Sequence, residues 1–142
     1  MLGMSQQLPG SNQIARLAAE LNSADENLRK HPGDSEYQQL SRMARERLYS
    51  PAWEANVSAL QLGDTAAVGP SIDFLDADPI CFRSAYAKER LCRFLSRVEL
   101  TQAQRTRLNP IVTKALASQR PMKEQKQWRQ LARAVGVSIP DS

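Results

Sequence analysis

The chain has 142 residues, of which 42% are apolar and 24% charged, with a formal net charge of +4. A chain of this length buries well over half of its unfolded surface around one core. No stretch approaches the roughly 20 consecutive apolar residues of a membrane-spanning helix, so membrane insertion is excluded and a soluble protein is expected.

The charge is unevenly divided. Residues 1–80 hold six Lys or Arg against eleven Asp or Glu, a balance of −5, and residues 81–142 hold thirteen against four, a balance of +9. Such a split suits a polyanionic partner, an acidic protein partner, or two parts of one fold that attract each other.

Residues 1–10 read as a disordered lead-in to a single helical domain over 11–142. The segment from Met1 to Gln7 has neither the positive n-region nor the apolar h-region of a secretory signal. Ser11 then stands as N-cap of a helix with the apolar stripe Ile14, Leu17, Ala18, Leu21 and Leu28. His31-Pro32-Gly33 ends it, with the sole imidazole at the helix C-terminus, where partial positive charge complements the dipole. Asp34 caps a second helix whose inner face is predicted as Tyr37, Leu40, Met43, Ala44 and Leu48.

Three junctions place an N-cap residue directly before proline: Ser50-Pro51, Asp78-Pro79 and Asn109-Pro110. The first opens a helix with Trp53, Val57 and Leu60 inward. Gly63 to Ser71 reads as a loop with turn chemistry at Gly69-Pro70-Ser71, followed by a short helical turn over Ile72 to Leu75. The second junction predicts a helix from Pro79 to about Val98, with Ile80, Ala87, Leu91, Phe94, Leu95 and Val98 on one face. Thr101 and Gln104 have the form of a capping box, opening a helix that Pro110 either kinks or divides. After Pro121, a last helix presents Trp128, Leu131, Ala132 and Val135 and stops at Gly136. No alternating strand pattern occurs, and no period of 30 to 45 residues marks a solenoid. The fold class is all-α: an irregular bundle of about six or seven short helices, with antiparallel pairs as one arrangement.

Chemical motifs are sparse. One histidine and two cysteines eleven residues apart match no metal-ligand spacing, and no glycine motif for phosphates or dinucleotides is present. On one helix Cys81 and Cys92 stand about 16 Å apart, beyond disulfide reach, which predicts free thiols and a reducing, cytoplasmic setting. Arg90 and Arg93 beside Cys92 are the only features that favour a reactive thiol. Asp64, Asp73, Asp76 and Asp78 are accounted for by loop solvation and capping. No catalytic residue, metal site or cofactor is assigned.

The most informative constellation is Arg83, Tyr86, Arg90, Arg93 and Arg97, whose spacings of three and four put them on one helix face. That face lies roughly 100° from the apolar stripe, so the guanidinium groups reach solvent while the helix stays docked. Further positive charge follows at Arg105, Arg107, Lys114, Arg120, Lys123, Lys126, Arg129 and Arg133. Two arrangements would neutralise the α-helical arginines internally: a Glu89–Arg93 pair at i, i+4, and the acidic segment Asp64 to Asp78 folding back onto them. The segment from Trp128 to Ser138 resembles the opening of a helix-turn-helix and a stretch of death-domain helices. Both families continue with a helix after the glycine, and Val137 to Ser142, with Pro140 among them, lacks it. The segment is therefore read as helix packing.

These residues predict a non-catalytic helical protein-protein interaction or regulatory module. Arg83, Tyr86, Arg90, Arg93 and Arg97, with Lys126, Arg129 and Arg133, are its binding residues for an acidic protein partner. The alternative is sequence-tolerant nucleic-acid binding, with the arginines on phosphates and Tyr86 stacked on a base. A homodimer also fits, because periodicity does not separate a core face from an interface.

Overall fold

The computed structural model describes residues 8–139, and in it the chain forms seven α-helices and one 3-10 turn, with no strand among the described residues. The helices are α1 (Ser11–Lys30), α2 (Ser35–Leu48), α3 (Pro51–Gln61), α4 (Val68–Ala77), α5 (Ser84–Leu95), α6 (Gln102–Leu116) and α7 (Met122–Val135). The all-α bundle of short helices is thus observed. Of the expected lead-in, residues 1–7 lie outside the described residues. Leu8 packs partly buried against the core, so order begins before α1.

Local chemistry explains most boundaries. The Asp34 carboxylate accepts from the Glu36 and Tyr37 amides, and the Ser50 hydroxyl accepts from Trp53, with Pro51 in the first turn where no donor is needed. Thr101 and Gln104 form the reciprocal capping box. Gly136, at φ 80, stops α7 in the left-handed region that glycine reaches without a Cβ penalty. α1 departs in detail: Gly10 holds the N-cap place, and Ser11 is already helical.

Three segments differ from the sequence reading, and at Pro110 the structure decides against a division of the helix. Gly69-Pro70 does not make a turn but sits in the first turn of α4, where proline's missing N–H has no carbonyl to serve. α6 runs unbroken through Pro110. Pro110 and Thr106 are both exposed, so water can satisfy the carbonyl that the proline leaves free. Asp78-Pro79 does not open α5. Asp78 instead closes α4 in a left-handed conformation, φ 46, and α5 begins only at Ser84. Ile80 consequently lies outside the helix, 80% exposed. On α2 the buried face is Ser41, Ala44 and Leu48, while Leu40 and Met43 are turned to solvent.

α1 and α2 form an antiparallel hairpin across the His31 turn. Asp25 meets Ser41 and Arg45, and Glu20 meets Arg47, so one chain position falls as the other rises. α5 packs on α7, α7 on α6, and α4 on α1. Leu21, Trp53, Leu60, Phe74, Leu91, Leu95, Leu108, Trp128 and Leu131 fill the common core. Val137 and Ile139 extend it beyond α7.

Candidate functional site

The Asp78 carboxylate explains why α5 starts late. It receives a bidentate fork from Arg120, Nη1 at 2.8 Å and Nη2 at 2.7 Å, and the Lys88 ammonium at 2.9 Å. Arg120 also donates to Glu124 at 2.7 Å, and the Trp128 indole donates to the same carboxylate oxygen at 2.8 Å. Lys88 lies 3.9 Å from Glu124. Two cations and two anions thus close on themselves, with the Lys88 and Glu124 side chains only 3% exposed. The acidic segment does fold back onto the basic half, but onto α6 and the connection between α6 and α7 rather than the α5 arginines, since Arg107 takes Asp73 at 2.6 Å and Asp76 at 3.7 Å and Arg120 takes Asp78. Asp64 caps the 3-10 turn through the Ala66 amide.

Burial opposes ionisation of Asp78, yet the hydrogen bonds from Arg120 and Lys88 outweigh it and hold its carboxyl down at about 2. The folded value lies below the ordinary carboxylate range, so ionised Asp78 stabilises the fold at neutral pH. That contribution, on the order of 1 to 2 kcal/mol for a partly exposed group, is lost as pH falls from about 4 to about 2. Urea denaturation across this window should show a shallower loss of stability in Asp78→Asn than in the wild type. An unchanged loss would contradict the clamp.

Cys92 is fully buried and its thiol is pushed well up by desolvation, and burial raises Cys81 as well. Neither favours a thiolate nucleophile. Among the described residues no group of three or more His, Cys, Asp or Glu side chains is placed to hold a metal ion. His31 stands exposed as the C-cap of α1, its ring stacked on Tyr37 at 5.4 Å.

With the clamp neutral, unspent charge must be sought elsewhere. A cleft of about 360 Å³ opens where the end of α2, the first turns of α3 and α5, and residues 79–83 meet. Trp53, Val57 and Ala87 are its buried apolar floor, and Phe82 and Tyr86 stand half-exposed in its walls. The Tyr49 hydroxyl donates to the Phe82 carbonyl at 2.6 Å, tying α2 to the 79–83 segment. Burial pushes its phenol above the ordinary range, and neighbouring Cys81 adds to the shift. Arg45 lies over the Phe82 ring, 3.9 Å from its centroid.

The predicted arginine face is only partly on α5. Arg83 is the N-cap in a left-handed conformation, φ 61, and Arg97 follows the helix end. A ladder nevertheless forms. Arg83 and Arg90 flank Tyr86 at 5.3 and 5.4 Å, and Arg90 and Arg93 flank Phe94 at 6.0 and 5.2 Å. The expected Glu89–Arg93 pair is present at 3.7 Å, and Arg90 faces Glu54 at 3.7 Å. Arg83 and Arg97 take part in no ion pair among the described residues.

The structure does not bring the α7 residues to this cleft. Lys126 and Arg133 are exposed and Arg129 is half-buried with an unpartnered Nε. None of the described ion pairs or ring contacts joins them to the α5 ladder. Arg45, Tyr49, Trp53 and Phe82 were not predicted as site residues. The spacing of Arg45, Tyr49 and Trp53 at successive fours is the one signal in the sequence, and Ser50-Pro51 interrupts it with a helix start.

No family model, curated protein or solved structure matches this chain. Its function must therefore be argued from the cleft itself. No helix among the described residues is long and apolar enough to cross a membrane.

Proposed function

We propose that this chain is a non-catalytic helical interaction module that docks an acidic partner protein at the arginine-lined cleft. The observation that carries this reading is the mouth of the cleft, where Arg83, without an ion pair among the described residues, and Arg90 flank the half-exposed ring of Tyr86. Guanidinium groups in this setting offer forked donors to carboxylates while their planes rest on aromatic faces.

Nucleic acid is less well served. Glu46 and Glu54 line the same cleft and are exposed. Each repels any anion, and a phosphate backbone carries its charges at every nucleotide, whereas a flexible peptide sets one or two carboxylates on Arg83 and turns the others to solvent.

The test uses fluorescence anisotropy of a labelled deca-glutamate and of a labelled single-stranded oligonucleotide, titrated with the full chain at low salt. Arg83→Glu is the informative variant, because an acidic residue at the N-terminus of α5 suits the helix dipole and leaves the fold intact. Deca-glutamate should bind, and about tenfold more weakly to Arg83→Glu. Oligonucleotide binding that is tighter and equally sensitive to Arg83 would overturn the reading in favour of nucleic acid.

A further inference from the structure

Phe82 and Tyr86 leave 39% and 50% of their surfaces in water above a floor of nearly inaccessible Trp53 and Val57. Large rings half-exposed around an apolar floor are unusual on a closed surface and mark a place where apolar area remains to be buried. The cleft, about 360 Å³, is at the small end of the roughly 300 to 1,000 Å³ typical of ligand pockets. It has room for one large side chain, not for a helix.

Its charge selects the guest. Arg45 lies over the Phe82 ring and Arg83 and Arg90 flank Tyr86, so a cation of the kind that aromatic cages take would meet like charge here. Arg45 is shared with Asp25 at 3.6 Å and Arg90 with Glu54, which among the described residues leaves Arg83 as the cleft's arginine open to an incoming carboxylate.

The wall is also preformed. Residues 78–83 are bracketed by two non-glycine residues in the left-handed region, Asp78 and Arg83, a conformation that persists only where surrounding contacts hold it. The segment is held in place by the Asp78 clamp, by Asn22 donating to the Ile80 carbonyl at 2.8 Å, and by Tyr49 on the Phe82 carbonyl. A wall ordered before binding lowers the ordering cost of the complex.

We infer that the cleft takes one large apolar side chain from a partner segment whose neighbouring residues are acidic, with the side chain between Phe82 and Tyr86 and a carboxylate on Arg83. This rests on the reading that an acidic protein docks here, and narrows it to a short segment with a single anchor.

A short random-peptide library selected on the immobilised full chain tests it. Selected peptides should carry one Trp, Tyr, Phe or Leu beside Asp or Glu, and should bind Tyr86→Ala and Arg83→Glu about tenfold more weakly than wild type. Tyr86 is half-exposed, so its variant should keep the wild-type circular dichroism and melting. Selection of acidic peptides without an anchor, bound equally by Tyr86→Ala, would overturn the anchor and leave acidic docking standing. Selection with no acidic preference would overturn both. The chain's own Leu62, 87% exposed and two residues before Asp64, is the competing occupant. Sedimentation should show a monomer across concentration, and a dimer abolished by Leu62→Ser would overturn the assignment to a partner protein.

Discussion

Glu124→Ala is expected to destabilise the fold by about 3 to 5 kcal/mol, the range for removing one partner of a buried ionic group. The carboxylate is almost inaccessible and serves the Arg120 guanidinium, the Trp128 indole and, at longer range, the Lys88 ammonium. Without it Lys88 keeps only Asp78, Arg120 loses one of two carboxylates, and the buried indole N–H has no acceptor. Each orphaned group adds its desolvation cost. Glu124→Gln retains an acceptor for Trp128 and should cost distinctly less. Urea denaturation of the two variants gives the comparison, and equal losses would show that the charge alone, not the acceptor for Trp128 or the shape of the side chain, carries the contribution.

Trp53→Ala is expected to cost a similar amount, about 3 to 5 kcal/mol, as for other large-to-small aromatic changes in cores. The indole is 5% exposed and stacked on Phe74 at a centroid distance of 4.6 Å. Its removal opens a void between α3 and α4 and takes away the floor of the cleft. Trp53→Phe keeps the stack with Phe74 and should retain most of the stability. If Trp53→Ala melts as the wild type does, the packing described for α3 is wrong. Neither variant suits a binding test, which is why exposed Arg83 and Tyr86 are the residues to change for function.

The helices were legible wherever a cap and an apolar stripe agreed. Asp34, Ser50 and the Thr101–Gln104 pair marked starts, and Gly136 a stop, because each acts on amides or torsions within a few residues of itself. Errors arose where a distant residue claimed the local signal. Asp78 has the form of an N-cap before proline, but Arg120, 42 residues away, takes its carboxylate. Gly69-Pro70 has the form of a turn, yet both residues are tolerated in a helix's first turn, and Val68, Ile72 and Leu75 reward a helix with burial.

The candidate site was half legible for the same reason. Arg83, Tyr86, Arg90 and Arg93 share a spacing that any chain-local reading finds. The opposite wall, from Arg45 to Trp53, depends on how α2 and α3 meet residues 79–83, which no spacing encodes. Lys88 illustrates the limit: it is in phase with buried Ser84, Leu91, Cys92 and Leu95, but its charge argues for solvent until Asp78 and Glu124 are seen beside it. The charge asymmetry is similarly explained in part, since Lys88, Arg90, Arg93, Arg107 and Arg120 are paired within the fold, while the other eight Lys and Arg beyond residue 80, spread from Arg83 to Arg133, take part in no ion pair among the described residues.

The most direct test of an acidic-partner cleft is a titration of the isotope-labelled full chain with deca-glutamate, followed by amide and indole chemical shifts in NMR. The account predicts that shifts concentrate at Arg83, Tyr86, Arg90 and the Trp53 indole, with little change at Lys126 or Arg133. Shifts confined to α7, or scattered over every exposed cation with none at the cleft, would contradict it.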